Sequence, residues 1–111
     1  MPDPTIDIVT FNELQATAGA EFVVELVDTF LEEAPQMLAD LRGAQSAGAA
    51  ERFRRAAHTL KSNGNTFGAL KLGAMARDLE LAGLVADVAP LQALEAEYAR
   101  VAAHLKGLCH G

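Results

Sequence analysis

Residues 21–41 read EFVVELVDTFLEEAPQMLADL, and this stretch is the strongest indicator of fold class in the chain. Its apolar side chains recur at steps of three and four residues, at Val23, Leu26, Val27, Phe30, Ala34, Met37, Leu38 and Leu41. Acidic side chains lie on the opposite side, at Glu21, Glu25, Asp28, Glu32 and Asp40. This spacing predicts a long amphipathic helix with one buried face. Pro35 keeps the register, so we expect a kink there or a second helix with this proline in its first turn.

A short helix is predicted before this one. Thr10 has Glu13 three residues later, which is the spacing of a capping box, and Gly19 is placed to end the helix. Residues 1–9 are interpreted as an irregular lead-in. Two apolar residues of this lead-in are expected to lie against the domain, Ile6 and Ile8.

Three further helices are predicted downstream. The first ends near Gly68, the next runs over about residues 69–84, and the last follows Asp87 and Pro90. The chain has 111 residues, half of them hydrophobic, which suits one domain with a single core. Short connections between long helices favour antiparallel neighbours. We therefore predict one all-α domain over the whole chain: an antiparallel up-down four-helix bundle over residues 20–108 with a short additional N-terminal helix.

Composition limits the possible partners. Nine Lys and Arg residues against fifteen Asp and Glu residues give a formal charge of −6, which argues against nucleic acid or an anionic membrane surface as a partner. No apolar run is long enough to span a bilayer, and the single Cys109 cannot form an internal disulfide. We expect a cytoplasmic, monomeric protein. The start at Met1 and the ending over residues 107–111 favour a free-standing protein.

The third predicted helix has one polar face that contains a histidine. Helix geometry places Glu51, Arg54, Arg55, His58, Lys61, Ser62 and Asn65 within roughly 60° of the His58 direction. The apolar residues point the other way, at Phe53, Ala56, Leu60 and Phe67. We therefore expect His58 to be exposed to solvent beside several cations.

The predicted hairpin between the third and fourth helices adds a carboxylate to this face. If the hairpin folds about Ala69, residues 58 and 80 are each eleven positions from the turn, so Glu80 should lie level with His58. Small residues on that side of the fourth helix, Ala69, Gly73 and Ala76, would let the two helices approach closely. A carboxylate there could accept a hydrogen bond from one ring nitrogen of His58 and leave the other nitrogen free.

The residues over roughly 21–84 resemble the histidine-containing phosphotransfer (Hpt) domains of two-component phosphorelays. The resemblance depends on the H-x-L-K pattern and the glycines that follow it, at His58, Leu60, Lys61, Ser62, Gly64 and Gly68. In this family a Gln or Glu twenty-two residues after the histidine contacts it in several members, and that position is Glu80. Two features depart from the family pattern: Ser62 stands where Gly is common, and Asn63 and Asn65 stand where Ser or Ala is frequent.

The resemblance implies a phosphoryl carrier. His58 would be phosphorylated by the aspartyl phosphate of a receiver domain or by a kinase, and would pass the group to another receiver domain. Lys61 would neutralise the phosphoryl oxygens, and Glu80 would orient the ring. The remaining candidate contacts to the phosphoryl group or a partner are Arg54, Arg55, Ser62, Gly64, Asn65 and Gly68. The expected partners are response-regulator receiver domains and a sensor or hybrid histidine kinase.

The carrier would have no kinase activity and no cofactor of its own, and the receiver domain would supply magnesium. The sequence contains neither a glycine-rich phosphate loop nor a Glu-x-x-His pair for a di-iron site.

Two alternatives remain open. The chain could be a helical interaction module that binds and inhibits a receiver or kinase without being phosphorylated, or it could be the phosphate-accepting segment of a larger kinase. For Arg54 and Arg55, ion pairs with Glu51 on a solvated helix face explain the sequence as well as phosphate steering does. His104 and His110 are interpreted as surface residues.

Overall fold

The computed structural model describes residues 5–84 and 87–110, and these residues form five helices and no strand. The helices are α1 (Ile8–Ala18), α2 (Ala20–Ala47), α3 (Ala50–Thr66), α4 (Leu70–Ala82) and α5 (Ala89–His110). Helix α3 packs against both α2 and α4, helix α5 closes the bundle by packing against α4 and α2, and α1 lies against α2 and α3. The prediction of an all-α bundle with a short additional N-terminal helix is confirmed.

Pairs of residues between helices show the antiparallel arrangement. Arg42 of α2 forms a two-point ion pair with Glu95 of α5, with both nitrogen–oxygen distances at 2.6 Å. Leu31, earlier in α2, meets Tyr98, later in α5. Residue numbers therefore increase in opposite directions along α2 and α5, so these two helices are antiparallel. In the residues described, no helix combines the length and the apolar character needed to cross a membrane.

The predicted apolar stripe of α2 forms one wall of the core. Its buried members are Val23, Val27, Phe30, Ala34 and Leu41, to which the structure adds Ala44. The ring of Phe30 lies 5.4 Å from that of Phe67, centroid to centroid, and 5.9 Å from that of Tyr98. Contacts of this kind join α2, the end of α3 and α5 in one continuous hydrophobic core.

The start of α1 differs from the prediction. The helix begins at Ile8, within the segment predicted to be irregular, and Asp7 rather than Thr10 is its N-cap. The Asp7 carboxylate accepts a hydrogen bond from the backbone N–H of Thr10, which satisfies one of the free donors of the first turn. Of the two isoleucines expected to lie against the domain, Ile6 is buried and Ile8 is exposed. Residues 1–4 lie outside the described part of the chain.

The ends of α4 and α5 lie close to the predicted ones. Helix α4 stops at Ala82, two residues before the predicted end, because Gly83 adopts a positive φ of 73° that ends the helix. Asp87 accepts a hydrogen bond from the backbone N–H of Ala89 at the start of α5, as expected of a residue that precedes a helix. Helix α5 continues to His110, slightly past the predicted end of the bundle at residue 108.

Helix α2 continues through Pro35, so the alternative of a second helix beginning there is wrong. Proline has no N–H, and the carbonyl of Leu31 therefore lacks its usual partner four residues later. The hydroxyl of Tyr98 donates to this carbonyl at 3.4 Å from the neighbouring helix α5. A residue of another helix thus supplies the hydrogen bond that Pro35 removes.

This arrangement predicts a dependence of one substitution on the other. Tyr98→Phe should lower the free energy of unfolding by about 1 kcal/mol, since the Leu31 carbonyl loses its donor. In a Pro35→Ala background the backbone N–H at position 35 should serve this carbonyl, and the loss caused by Tyr98→Phe should shrink. Urea denaturation of the four proteins measures both effects. Equal losses in the two backgrounds would contradict the role given to Tyr98.

Candidate functional site

His58 lies on the outer face of α3, and its side chain is 56% exposed. Its Nδ1 atom is 3.2 Å and 3.3 Å from the two carboxylate oxygens of Glu80 on α4. The hairpin geometry places Glu80 level with the histidine, as the sequence predicted. The Nδ1 atom is therefore occupied from the side of α4, while half of the side chain remains open to solvent.

Two glycines lie at the contact between α3 and α4. A Cβ atom added to Gly64 would lie 3.4 Å from the carbonyl oxygen of Ala69, which is ordinary van der Waals contact. A Cβ atom added to Gly73 would lie 2.0 Å from the side-chain oxygen of Asn65, so the Asn65 side chain occupies that space. Positions 65 and 73 are each four residues from Ala69, as 58 and 80 are each eleven from it. The contact of Asn65 with Gly73 and the pair of His58 with Glu80 therefore belong to the same register of the hairpin.

Lys61 completes the cluster from the next turn of α3. Its Nζ atom is 3.0 Å from Oε2 of Glu80. The Glu80 side chain is only 16% exposed, and it lies between the ammonium of Lys61 and the ring of His58. The hydrogen bond from Lys61, helped by the one to His58, lowers the pKa of Glu80 below its ordinary value even though burial opposes this. Glu80 is therefore a carboxylate at neutral pH.

The ionised state of Glu80 determines which nitrogen of His58 carries the proton. A carboxylate can only accept hydrogen bonds, so Nδ1 must be the donor in the pair that it forms with Glu80. In the neutral ring the second nitrogen, Nε2, then keeps its lone pair. Glu80 thus fixes the tautomer of the neutral ring, and the free nitrogen is the one that Glu80 does not hold.

Gly64 and Gly68 are buried, so the free chain does not display them to a partner. Gly68 has a φ of 85°, and its carbonyl accepts a hydrogen bond from the backbone N–H of Asp7 at 2.7 Å. The structure places both glycines where elements of the bundle meet, behind the exposed face. Ser62 and Asn65 are exposed, with the Asn65 side chain turned towards α4.

The two arginines of the polar face form ion pairs in the free chain. Arg54 binds Glu51 through Nε at 3.2 Å and through a second nitrogen, and Arg55 lies 3.9 Å from the same carboxylate. Both arginine side chains are at least half exposed. The solvated-face alternative therefore describes their state in the structure, and a role towards phosphate would require them to leave Glu51.

The other histidines lie on α5. His104 is exposed, and His110 forms a pair with Asp28 of α2 at 2.8 Å. Sequence reasoning missed this second pair because nothing in the local spacing connects residues 28 and 110. In the described ranges, 5–84 and 87–110, no three His, Cys, Asp or Glu side chains are grouped so that they could hold a metal ion.

A comparison with protein-family models matches the chain to the Hpt domain over residues 25–104. This span is well over half of the chain, and it contains His58, Lys61 and Glu80. Neither the curated proteins nor the solved structures contain a significant match.

The charge pairs of the site make a prediction about the titration of Glu80. Lys61→Met should raise the pKa of Glu80, because the hydrogen bond from Lys61 is the main cause of its lowering. A matched control is Arg42→Met, which removes a cation paired with Glu95 and should leave Glu80 unchanged. Carboxyl-carbon NMR titration of Glu80 measures both variants.

The lowered pKa of Glu80 also determines how its pair with Lys61 affects the stability of the fold as the pH changes. The pair of Glu80 with Lys61 should stabilise the fold above the ordinary carboxyl pKa of 4.5, and this contribution should be lost as the pH falls through the lowered value. If the pKa of Glu80 were the same in Lys61→Met as in the parent protein, Lys61 could not be the main cause of its lowering.

Proposed function

We propose that the chain, which belongs to the Hpt domain family, accepts a phosphoryl group on His58 and passes it to a receiver domain of a two-component phosphorelay. Hpt domains act in histidine phosphotransfer with receiver domains and kinases as partners. The observation that carries the proposal for His58 is its half-exposed ring, held at Nδ1 by a carboxylate. His58 lies within the matched span, and among the described histidines it is the one that pairs with Glu80.

The chemical step is an in-line displacement at phosphorus. The lone pair of Nε2 attacks the phosphorus of an aspartyl phosphate on the receiver, and the Nε2–P bond forms as the bond between phosphorus and the aspartyl oxygen breaks. The electron pair of that bond stays with the aspartate. The proton on Nδ1 stays in place, the ring becomes cationic, and the negative charge of Glu80 offsets the new positive charge.

Lys61 is placed to assist the same step. Its ammonium lies one helical turn from His58 and is held there by Glu80 at 3.0 Å. A cation one helical turn from the ring can neutralise phosphoryl oxygens that arrive at its outer nitrogen. The exposed Ser62 leaves room for the incoming receiver, whose own magnesium ion and aspartate would complete the transfer. The domain would then contribute position and charge to the reaction, as a carrier does.

The first test is transfer of label from a phosphorylated receiver domain. The chain should acquire a phosphoryl label that is lost in acid and stable in base, and His58→Gln should acquire none. His104→Gln is the matched control, because it removes an exposed histidine of α5 and should not affect labelling. Label that persists unchanged in His58→Gln would refute the proposal. Binding of the receiver without any label would support the inhibitory interaction module instead.

The second test concerns Glu80. Glu80→Ala should slow transfer at least about tenfold, because the ring loses the group that fixes its orientation and tautomer. The matched control is Glu95→Ala, which removes a carboxylate of α5 that pairs with Arg42. Rates of transfer from a phosphorylated receiver, with circular dichroism to verify the fold, measure the effect. An unchanged rate in Glu80→Ala would show that the carboxylate has no part in the reaction.

A further inference from the structure

The pair between Glu80 and His58 has a consequence for the phosphorylated state. Both oxygens of Glu80 lie within 3.3 Å of Nδ1, and the carboxylate is 16% exposed. Phosphorylation would occur at Nε2, on the other side of the ring. The contact with Glu80 can therefore persist while the phosphoryl group is bound.

The proton on Nδ1 controls how easily the phosphoryl group leaves. When Nδ1 carries a proton, breaking the P–Nε2 bond returns its electron pair to Nε2 and releases a neutral imidazole. When Nδ1 has lost its proton, the same cleavage must release an imidazolate anion, which is a much poorer leaving group. A phosphorylated histidine therefore discharges readily only while it keeps the Nδ1 proton.

We infer that Glu80 sets the discharge rate of phosphorylated His58, because its carboxylate holds the proton on Nδ1 and Lys61 opposes that hold. This inference rests on the proposed function and adds to it a control on how long the phosphoryl group stays. The negative charge of Glu80 favours the cationic, protonated ring. The positive charge of Lys61, 3.0 Å from the same carboxylate, works in the other direction.

The remaining charged groups near the ring have other partners or other positions. On α3, Arg54 and Arg55 are paired with Glu51, and the charge of Arg54 also interacts with that of Glu80. On α4, Arg77 precedes Glu80 by one turn and is exposed. Helix α2 meets α3 with Asp40, which pairs with Arg52, and with Glu33, which lines a groove beside Asn63. Of the carboxylates in the described residues, Glu80 is the one in hydrogen-bond contact with His58.

The test begins with chemical phosphorylation, so that no partner protein is needed. Phosphoramidate labels exposed histidines, and signals that remain in His58→Gln belong to His104 and His110 and are subtracted. The phosphorus-31 shift of phosphorylated His58 is then followed against pH, which gives the midpoint for loss of the Nδ1 proton. Glu80→Gln keeps a hydrogen-bond acceptor at this position and removes only the charge, so ring orientation is retained.

Two variants should shift this midpoint in opposite directions. In Glu80→Gln it should fall by about one pH unit, a modest shift because the site is half open to solvent. Above both midpoints, transfer of the group to a receiver should then be about tenfold slower than in the parent protein. In Lys61→Met the midpoint should rise. Glu95→Gln, the matched control on α5, should leave it unchanged.

The outcomes separate this inference from the proposed function. An unchanged midpoint in Glu80→Gln, or shifts of the same sign in Glu80→Gln and Lys61→Met, would overturn the inference while receiver-dependent labelling of His58 could still occur. Absence of receiver-dependent labelling would refute the proposed function, whereas the titration of the chemically phosphorylated ring would still measure the effect of Glu80. If Glu80→Gln failed to fold, the sign of the shift in Lys61→Met would decide the question.

Discussion

The close contact between α3 and α4 is the constraint on which the site depends. Gly64 and Gly73 lie at this contact, and the Asn65 side chain fills the space that a Cβ at position 73 would need. This contact fixes the register of the hairpin, and the register alone brings Glu80 level with His58. The core beneath makes the contact rigid, since Ala57, Leu60, Leu72 and Ala76 of the same two helices are fully buried.

Much of this arrangement could be predicted from the sequence because it depends on local periodicity and on one symmetric turn. Helical spacing identified the exposed face with His58, and counting outward from Ala69 placed Glu80 beside it. The N-terminus of α1 was predicted incorrectly because two capping residues compete there. Asp7 has the stronger position, since its backbone also donates to Gly68 across the bundle and so holds the chain in place before the first turn. The capping-box spacing of Thr10 and Glu13 does not contain this long-range contact.

Contacts between distant helices account for what the sequence could not show. The hydroxyl of Tyr98 serves a carbonyl freed by Pro35, and neither residue reveals the other in the linear sequence. Glu97 occupies a buried position on α5, where Lys71 of α4 lies 4.0 Å from its carboxylate, although the apolar stripe of α5 gives no sign of this burial. Burial of a charged group depends on which side chains happen to meet it in three dimensions, and periodicity reports only which face is turned inwards.

The charge distribution bears on the proposed function, since an acidic protein would have to receive a dianionic phosphoryl group. Helix α3 carries four of the nine cations, Arg52, Arg54, Arg55 and Lys61, against a single acidic residue, so its net charge is +3 within a chain of net charge −6. Two of these cations are paired with carboxylates of neighbouring helices, Arg52 with Asp40 and Lys61 with Glu80, yet α3 remains the most cationic part of an otherwise acidic chain and would favour an anion beside His58. Glu80 would weaken this attraction if it stood alone. Because Lys61 pairs with it at 3.0 Å, the carboxylate could hold the ring of His58 without opposing the approach of a phosphoryl group in the proposed reaction.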